Sequence, residues 1–402
     1  MRNKYTAICL GLILCITGLG GCLSVEQAGF RQVSMATFDT GMTWSATALY
    51  QDQLLYLDLD LGSDLSSQKN PSFYLYNFQT DEKKLLAEIS DFALQGRSVA
   101  QIEDRAYFYV GQFEDARIKN VLYEMNFSSG VLRALSENHY SRTLIPLTVW
   151  DGQLYALQGD GLVQRIDSEG RAQEITLQGR EPQSPDITDQ YLFSMDYNGE
   201  YLCFIEKEWR ETAQKVYDPY YYITQYDDSF RQVNKVDITE IYRQYDLDGV
   251  GEFFAFGDYF YLSTLSGPVI IGSIEKGKPE VLMAAERLGI EIEYVKTQDR
   301  DQRYQYFYKR EAEEVYRLDV QTGELLTLPF VWGEQENVQE EVQAKWGVVF
   351  DCRIRWILAY GDDMVVIKSP TRNYEDYPNV DMATLRAGTY DSISYLFLLE
   401  KS

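Results

Sequence analysis

Three observations predict an all-β chain, a seven-bladed β-propeller of four-stranded blades. First, a short apolar run, an Asp or Gly turn and a second apolar run recur seven times, as in "ALYQDQLLYLDL", "LTVWDGQLYALQ" and "ILAYGDDMVVIKS", which is the pattern of a β-hairpin. Second, the turn marks Asp52, Asp104, Gly152, Gly199, Gly257, Asp301 and Gly361 repeat with a period averaging roughly 51 residues, in the range of propeller repeats. Third, each of the first six copies is followed by a second hairpin with its own turn, at QTDE, SSG, SEG, DDS, EKG and QTG. Each copy therefore holds four strands, a to d from the axis outward, which is one blade. Six or eight blades are the alternative countings, and neither a WD nor a YWTD signature accompanies the repeat.

The chain opens "MRNKYTAICLGLILCITGLGGC": Arg2 and Lys4, an apolar run from Ile8 to Leu19 too short to span a bilayer, then "LGGC". This resembles the lipobox of bacterial lipoproteins. The resemblance implies a signal peptide over 1–21, lipidation of Cys22 as the first mature residue, a short tether over 22–28 and a propeller domain over 29–402. It also implies export and attachment to the cell membrane through lipid, with the body extracytoplasmic. No later segment is apolar enough to cross a membrane.

The seventh copy offers an a strand around Arg353–Tyr360, a b strand around Met364–Lys368 and a c strand in "SISYLFLLEKS", and then the chain stops. A missing outer strand leaves an exposed sheet edge. The N-terminal stretch "FRQVSMATF" is the candidate to fill it, closing the ring.

Directly after it comes "TFDTGMTW" (residues 37–44), which fits the Asp-box pattern of sialidase-type propellers at Thr37, Asp39, Gly41, Thr43 and Trp44. In those proteins the motif caps a turn between outer strands and is structural. Here the register places it between the closing strand of blade seven and the first strand of blade one. Either the register is off by one strand or the match is a look-alike turn.

The a–b and c–d turns, which share one face of a propeller, are uniformly tight. Long insertions fall among the b–c and d–a connections: "EKEWRETAQKVYDPYYY" in blade four, "SPTRNYEDYPNVDMATLRAGTYD" in blade seven, "ITEIYRQYDLDGVGE" between blades four and five, and "VWGEQENVQEEVQAKWGVVF" between six and seven, where Val338, Val342 and Trp346 recur at helical spacing. Binding is commonly built on such loops. Their aromatics Trp209, Tyr217, Tyr220, Tyr221, Tyr222, Trp332, Tyr374 and Tyr377 are the candidate ligand-binding residues, suited to stacking on a glycan or contacting a protein.

Catalytic and metal signals are sparse. The single histidine, His139, reads as a loop residue after the outer strand of blade two, and one histidine excludes a multi-histidine metal site. Asp246, Asp248 and Glu252 in "YDLDGVGE" lack the frame of an EF-hand, so an acidic turn is expected rather than calcium, and no metal or cofactor is assigned. Acidic pairs are too numerous among 62 carboxylates for a glycosidase pair to be singled out.

Cys203 and Cys352 sit in apolar runs on non-adjacent blades and are expected as buried thiols. The formal charge is −25, or −27 once Arg2 and Lys4 leave with the signal peptide, which excludes nucleic acid as a partner. The expected function is a non-catalytic binding or scaffolding module for a protein or glycan at the cell surface. The alternative, a glycan-acting hydrolase or lyase, rests on "TFDTGMTW" alone.

Overall fold

The computed structural model describes residues 30–39, 44–58, 70–115, 117–140, 145–158, 161–179, 187–211, 217–245, 247, 252–263, 270–284, 292–294, 296–297, 304–309, 314–319, 321–331, 351–360, 363–371 and 393–401. After β1 (Phe30–Asp39), five four-stranded antiparallel meanders follow in chain order. The first is β2 (Trp44–Tyr50), β3 (Gln53–Asp58), β4 (Ser72–Asn77) and β5 (Glu82–Glu88). The second is β6 (Phe92–Ile102), β7 (Arg105–Glu114), β8 (Arg117–Asn126) and β9 (Val131–Tyr140). The third is short: β10 (Leu147–Trp150), β11 (Gln153–Leu157), β12 (Val163–Ile166) and β13 (Ala172–Ile175). The fourth is long: β14 (Ile187–Tyr197), β15 (Leu202–Glu211), β16 (Tyr217–Tyr226) and β17 (Gln232–Asp237), followed by a short helix α1 (Thr239–Gln244). The fifth is β18 (Glu252–Phe256), β19 (Tyr259–Ser263), β20 (Ile270–Ser273) and β21 (Glu280–Ala284).

The remaining strands join one nine-stranded sheet. They are β22 (Ile292–Tyr294), β23 (Lys296–Thr297), β24 (Tyr304–Lys309), β25 (Glu314–Asp319), β26 (Leu325–Val331), β27 (Asp351–Tyr360), β28 (Asp363–Thr371) and β29 (Ile393–Lys401). Its order is β22-β24-β25-β26-β1-β29-β28-β27-β23. β1 runs antiparallel to β29 from Phe30↔Lys401 to Asp39↔Ile393, and meets β26 in parallel only at Phe30↔Phe330 and Arg31↔Val331. "TFDTGMTW" therefore runs from β1 into β2, which are not hydrogen-bonded neighbours. Thr37–Asp39 and Trp44 therefore do not flank a hairpin of paired strands as an Asp-box does; Gly41 and Thr43 lie outside the described residues.

Each second strand is buried on both faces, so its sequence is continuously apolar rather than alternating. In β3, Leu55 and Leu57 pack with Phe108 and Val110 of the second sheet, whereas Leu54 and Tyr56 pack with Leu358 and Val365 of β27 and β28. Tyr109 and Leu122 meet Leu147 and Leu154; Trp150 and Leu157 meet Phe204 and Tyr226; Ile205 and Ile223 meet Phe253 and Phe260; Tyr261 and Ile271 meet Phe307 and Tyr316. Consecutive sheets thus share cores from the first to β24–β25, and the last strands share one with the first sheet. Cys203 lies in one of these cores with its thiol near the Tyr201 carbonyl; the side chain of Cys352 lies outside the described residues.

Turn chemistry recurs as it does in the sequence. Asp151 and Gly152 both take positive φ, 48° and 66°, as a two-residue hairpin of the twisted type requires. Five third strands end in, or are followed at once by, an Asn or Asp whose carboxyl or amide oxygen accepts from the backbone of its own turn: Asn77, Asn126, Asp167, Asp227 and Asp319. The first and second turns of a sheet lie together, joined by Phe78 N to Asp52 O at 2.8 Å, Phe127 N to Asp104 O at 2.9 Å and Ile274 N to Asp258 O at 2.8 Å. His139 falls inside β9 rather than in a loop after it. No helix among the described residues is long and apolar enough to cross a membrane.

Packing is tight where three strands of the fifth sheet meet. A Cβ on Gly272 would lie 2.3 Å from the Phe260 ring and 2.9 Å from the Glu280 carbonyl. Gly272→Ala is expected to cost roughly 1–3 kcal/mol, the usual penalty of overpacking, measured as a lower midpoint in urea unfolding.

Candidate functional site: the ribbon of the fourth sheet

Sheet two and the first three strands of sheet four run to ten and eleven residues, and sheet three between them has strands of four and five. Their innermost strands are pinned near the turns. Ser98 Oγ exchanges hydrogen bonds with Leu147 N and O at 2.8 and 2.9 Å. Thr148 Oγ1 donates to Asp196 Oδ1 at 3.1 Å, and Asp196 Oδ2 accepts from Ala255 N at 2.9 Å. With one end level, all the extra length emerges at the other, the end of the b–c and d–a connections.

The insertion "EKEWRETAQKVYDPYYY" is accordingly mostly strand. β15 and β16 stay paired from Leu202↔Tyr226 to Glu211↔Tyr217, which corrects the expectation that Trp209, Tyr217, Tyr220, Tyr221 and Tyr222 are loop residues. Strand alternation also splits them between two faces. Tyr220 and Tyr222 share the face of Phe204 and Tyr226, toward sheet three; Trp209, Tyr217 and Tyr221 share the face of Ile205, toward sheet five. Tyr221 and Tyr222 are buried, Trp209 and Tyr220 half-buried, and Tyr217 is 53% exposed. Trp332, Tyr374, Tyr377 and Cys22 lie outside the described residues, as do Asp246, Asp248 and the helical spacing around Trp346.

On the face toward sheet three, Glu206 and Glu208 stand two residues apart with their side chains buried. Lys235 on β17 forms an ion pair with Glu208 and lies 3.8 Å from Glu206. Arg210 Nη2 donates to Glu208 Oε2 at 2.7 Å and to Tyr222 Oη at 2.8 Å. Gln190 Nε2 donates to Glu206 and, at 3.2 Å, to Glu208. Lys235 also lies 4.3 Å over the Tyr222 ring, and Tyr220 is flanked by Arg210 at 4.7 Å and by Arg243 of α1 at 5.4 Å.

Burial alone would raise the Glu208 carboxyl, but the hydrogen bonds from Lys235 and Arg210 outweigh it and hold Glu208 below the usual range. Burial, reinforced by the Glu208 charge, pushes the Tyr222 phenol well up, so it stays protonated. The network is compensated within itself, with its carboxylates behind their cations. Its signal in the sequence, charges at i and i+2 in "IEKEWRE", is legible only once that stretch is recognised as a strand.

On the opposite face, Lys207 sits 4.1 Å over Trp209, and Tyr221 stacks on Tyr242 of α1 with centroids 3.7 Å apart. Asp237 Oδ1 accepts from Thr239 N at 2.8 Å just ahead of α1, where the helix packs on the ribbon. What this element offers outward is Tyr217, part of Trp209, and a tyrosine between two guanidiniums. Among the described residues no group of three His, Cys, Asp or Glu side chains is placed to hold a metal ion.

Because the folded Glu208 carboxyl titrates below its unfolded value, it contributes stability that is present above about pH 4.3 and is lost as pH falls through the lower folded value. Glu208→Gln is expected to destabilise the chain at neutral pH by on the order of 2 kcal/mol, since it removes the buried charge to which the half-buried Lys235 and Arg210 donate. The gap from wild type should narrow below about pH 4, which chemical denaturation at both pH values measures.

No family model matches this chain, and no curated protein does. Among solved structures it is similar to the β-propeller domain of Cps50 (Swd1) from Myceliophteria thermophila, with a TM-score of 0.44, 9% identity and coverage of 92% of this chain and 99% of that one. It is similar also to the β-propeller domain of the Trilobed protease from Pyrococcus furiosus, with a TM-score of 0.45, 12% identity and coverage of 82% and 92%. A third is PorZ of Porphyromonas gingivalis, a surface component of the type-IX secretion system, with a TM-score of 0.43, 12% identity and coverage of 83% of this chain but 36% of that one.

Proposed function

We propose that the chain is a lipid-anchored, extracytoplasmic β-propeller of seven blades, sealed by β1 as the outer strand of the seventh, which acts as a non-catalytic binding or scaffolding module at a bacterial cell surface. The shared cores of consecutive sheets, the core between the last strands and the first sheet, and the β1–β29 pairing support the ring. "LGGC" at residues 19–22 behind a basic, apolar leader supports the anchor.

The observation that carries the binding role is the inequality of strand length. A ribbon ten residues long, with tyrosines and a tryptophan beside arginines, stands beside a sheet whose strands have only four or five residues. Rigid aromatic and arginine groups contribute contact area at low entropic cost. The partner is a protein or a glycan, and Trp332, Tyr374 and Tyr377 belong to the connections that follow β26 and β28.

Two measurements test this. Combining Trp209→Ala, Tyr217→Ala and Tyr220→Ala should weaken capture on a glycan array, or in pull-downs from cell-envelope extract, by about tenfold or more, while melting shifts by only a few degrees. Loss of capture instead from shortening the tight turn at Ser129–Gly130, in folded protein, contradicts it. Separately, Cys22→Ala should abolish lipid labelling and release the protein from the membrane fraction; unchanged labelling and fractionation contradict the anchor.

A further inference from the structure

The position of β1 fixes which way an anchored body faces. Arg31 pairs with Glu400, Glu400 with Asp363, and Asp363 with Tyr360 across the turn from β27 to β28. The first residues of β1 therefore lie level with that turn, at the tight-turn end of their own sheet. The same end is shared with the first sheet: Leu49 and Leu54, one step from the turn at Gln51–Asp52, pack on Leu358 and Val365, two steps from theirs. In the fourth and fifth sheets the corresponding turns are bonded to each other, Gly257 N to Asn198 O at 2.7 Å.

Cys22 lies eight residues before Phe30. Fully extended, that stretch reaches about 29 Å. β1 itself is ten residues long, or about 33 Å. A tether attached at the tight-turn end is too short to run back past its own strand and past the ribbon that projects beyond it. Resting on the lipid-anchored reading above, we infer that the tight-turn face looks toward the bilayer and the ribbon face looks away from it, into the space where partners are met.

Charge sets how the near face behaves. It carries an exposed acid in sheet after sheet: Asp81, Glu103, Asp151, Glu200, Asp258 and Glu324. Exposed cations on these turns are fewer, Arg171, Arg231 and Lys278 among them. Such a face is repelled by anionic headgroups, so the partner surface is a bilayer met at a stand-off, with the lipid supplying attachment and the acids preventing collapse onto the membrane. The repulsion falls off over a Debye length, about 10 Å at 0.1 M salt.

The test uses the lipidated full chain in phosphatidylethanolamine vesicles containing phosphatidylglycerol and a headgroup-labelled acceptor lipid. A donor dye is placed on a cysteine introduced at Glu103 or Glu200 for the near face, or, for the far one, at Phe113 near the end of β7 or Tyr217 at the ribbon, both exposed. Energy transfer from the near-face donors should exceed that from the far-face donors by about twofold or more, given an offset of roughly 30 Å along the strands, and should rise further as salt is added. Equal transfer from all four sites in vesicle-bound protein would mean that the blade rims lie on the membrane, and reversed transfer that the ribbon faces it; either overturns the orientation alone. Failure of the chain to pellet with vesicles, with Cys22→Ala behaving identically, overturns the anchor and the orientation with it.

Discussion

Everything in this structure depends on the seam where the two ends of the chain meet. Sheets buried on both faces need a neighbour on either side, and in the proposed ring the first and last supply each other's. Leu54 and Tyr56 against Leu358 and Val365 supply the apolar half of that contact, and β1 along β29 supplies the backbone half. Without β1 the edge of β29 carries a row of unpaired amides and carbonyls along nine residues. The parallel contact of Phe30 and Arg31 with β26 also ties the seam to the preceding sheet. In the proposed ring, this is the one junction that the order of synthesis does not make by itself.

Polar groups repeat between sheets at two radii. Near the axis, Ser98 with Leu147, and Asp196 with Thr148 and Ala255, tie the innermost strands of sheets two to five. Near the rim, Lys84 Nζ donates to Gly130 O at 2.8 Å and Arg133 Nη2 to Ser168 O at 3.3 Å, so a cation on one outer strand holds the next sheet's turn. These ties fix the turns at one end and leave strand length at the other free to vary. That division is the physical basis for a rigid base with an elaborated opposite face, where the fourth-sheet ribbon stands beside its short neighbour.

Much of this was legible in the residues. The hairpin period placed the turns of the first five sheets, because Asp, Asn and Gly at those positions answer a backbone demand that few residues meet. "FRQVSMATF" could be matched to the last strand because a missing edge is a deficit that can be counted.

The ribbon was not legible. "EKEWRETAQKVYDPYYY" reads as a loop, yet Pro219 of β16 pairs with Trp209 of β15, beyond the point where β17 has ended. There β16 is an edge strand, and a residue without an N–H is tolerated on its open side. As loop, its five aromatics form one patch; as strand, they divide between two faces, and Tyr221 and Tyr222 serve the interior. Glu206 and Glu208 were hidden for the same reason, since a carboxylate pair on one face is visible only after the strand is assigned. The stretch before β24 is equally opaque, for β24 is flanked there by β22 alone, and β23 pairs instead with β27.

The seam is the claim to test first. Thermal unfolding of the chain lacking Phe30–Asp39, followed by circular dichroism beside the intact chain, measures it directly. The account predicts a markedly lower melting temperature and a broadened transition, because both the β29 edge and the contact between the last strands and the first sheet lose their cover. An unchanged, equally sharp transition would contradict it.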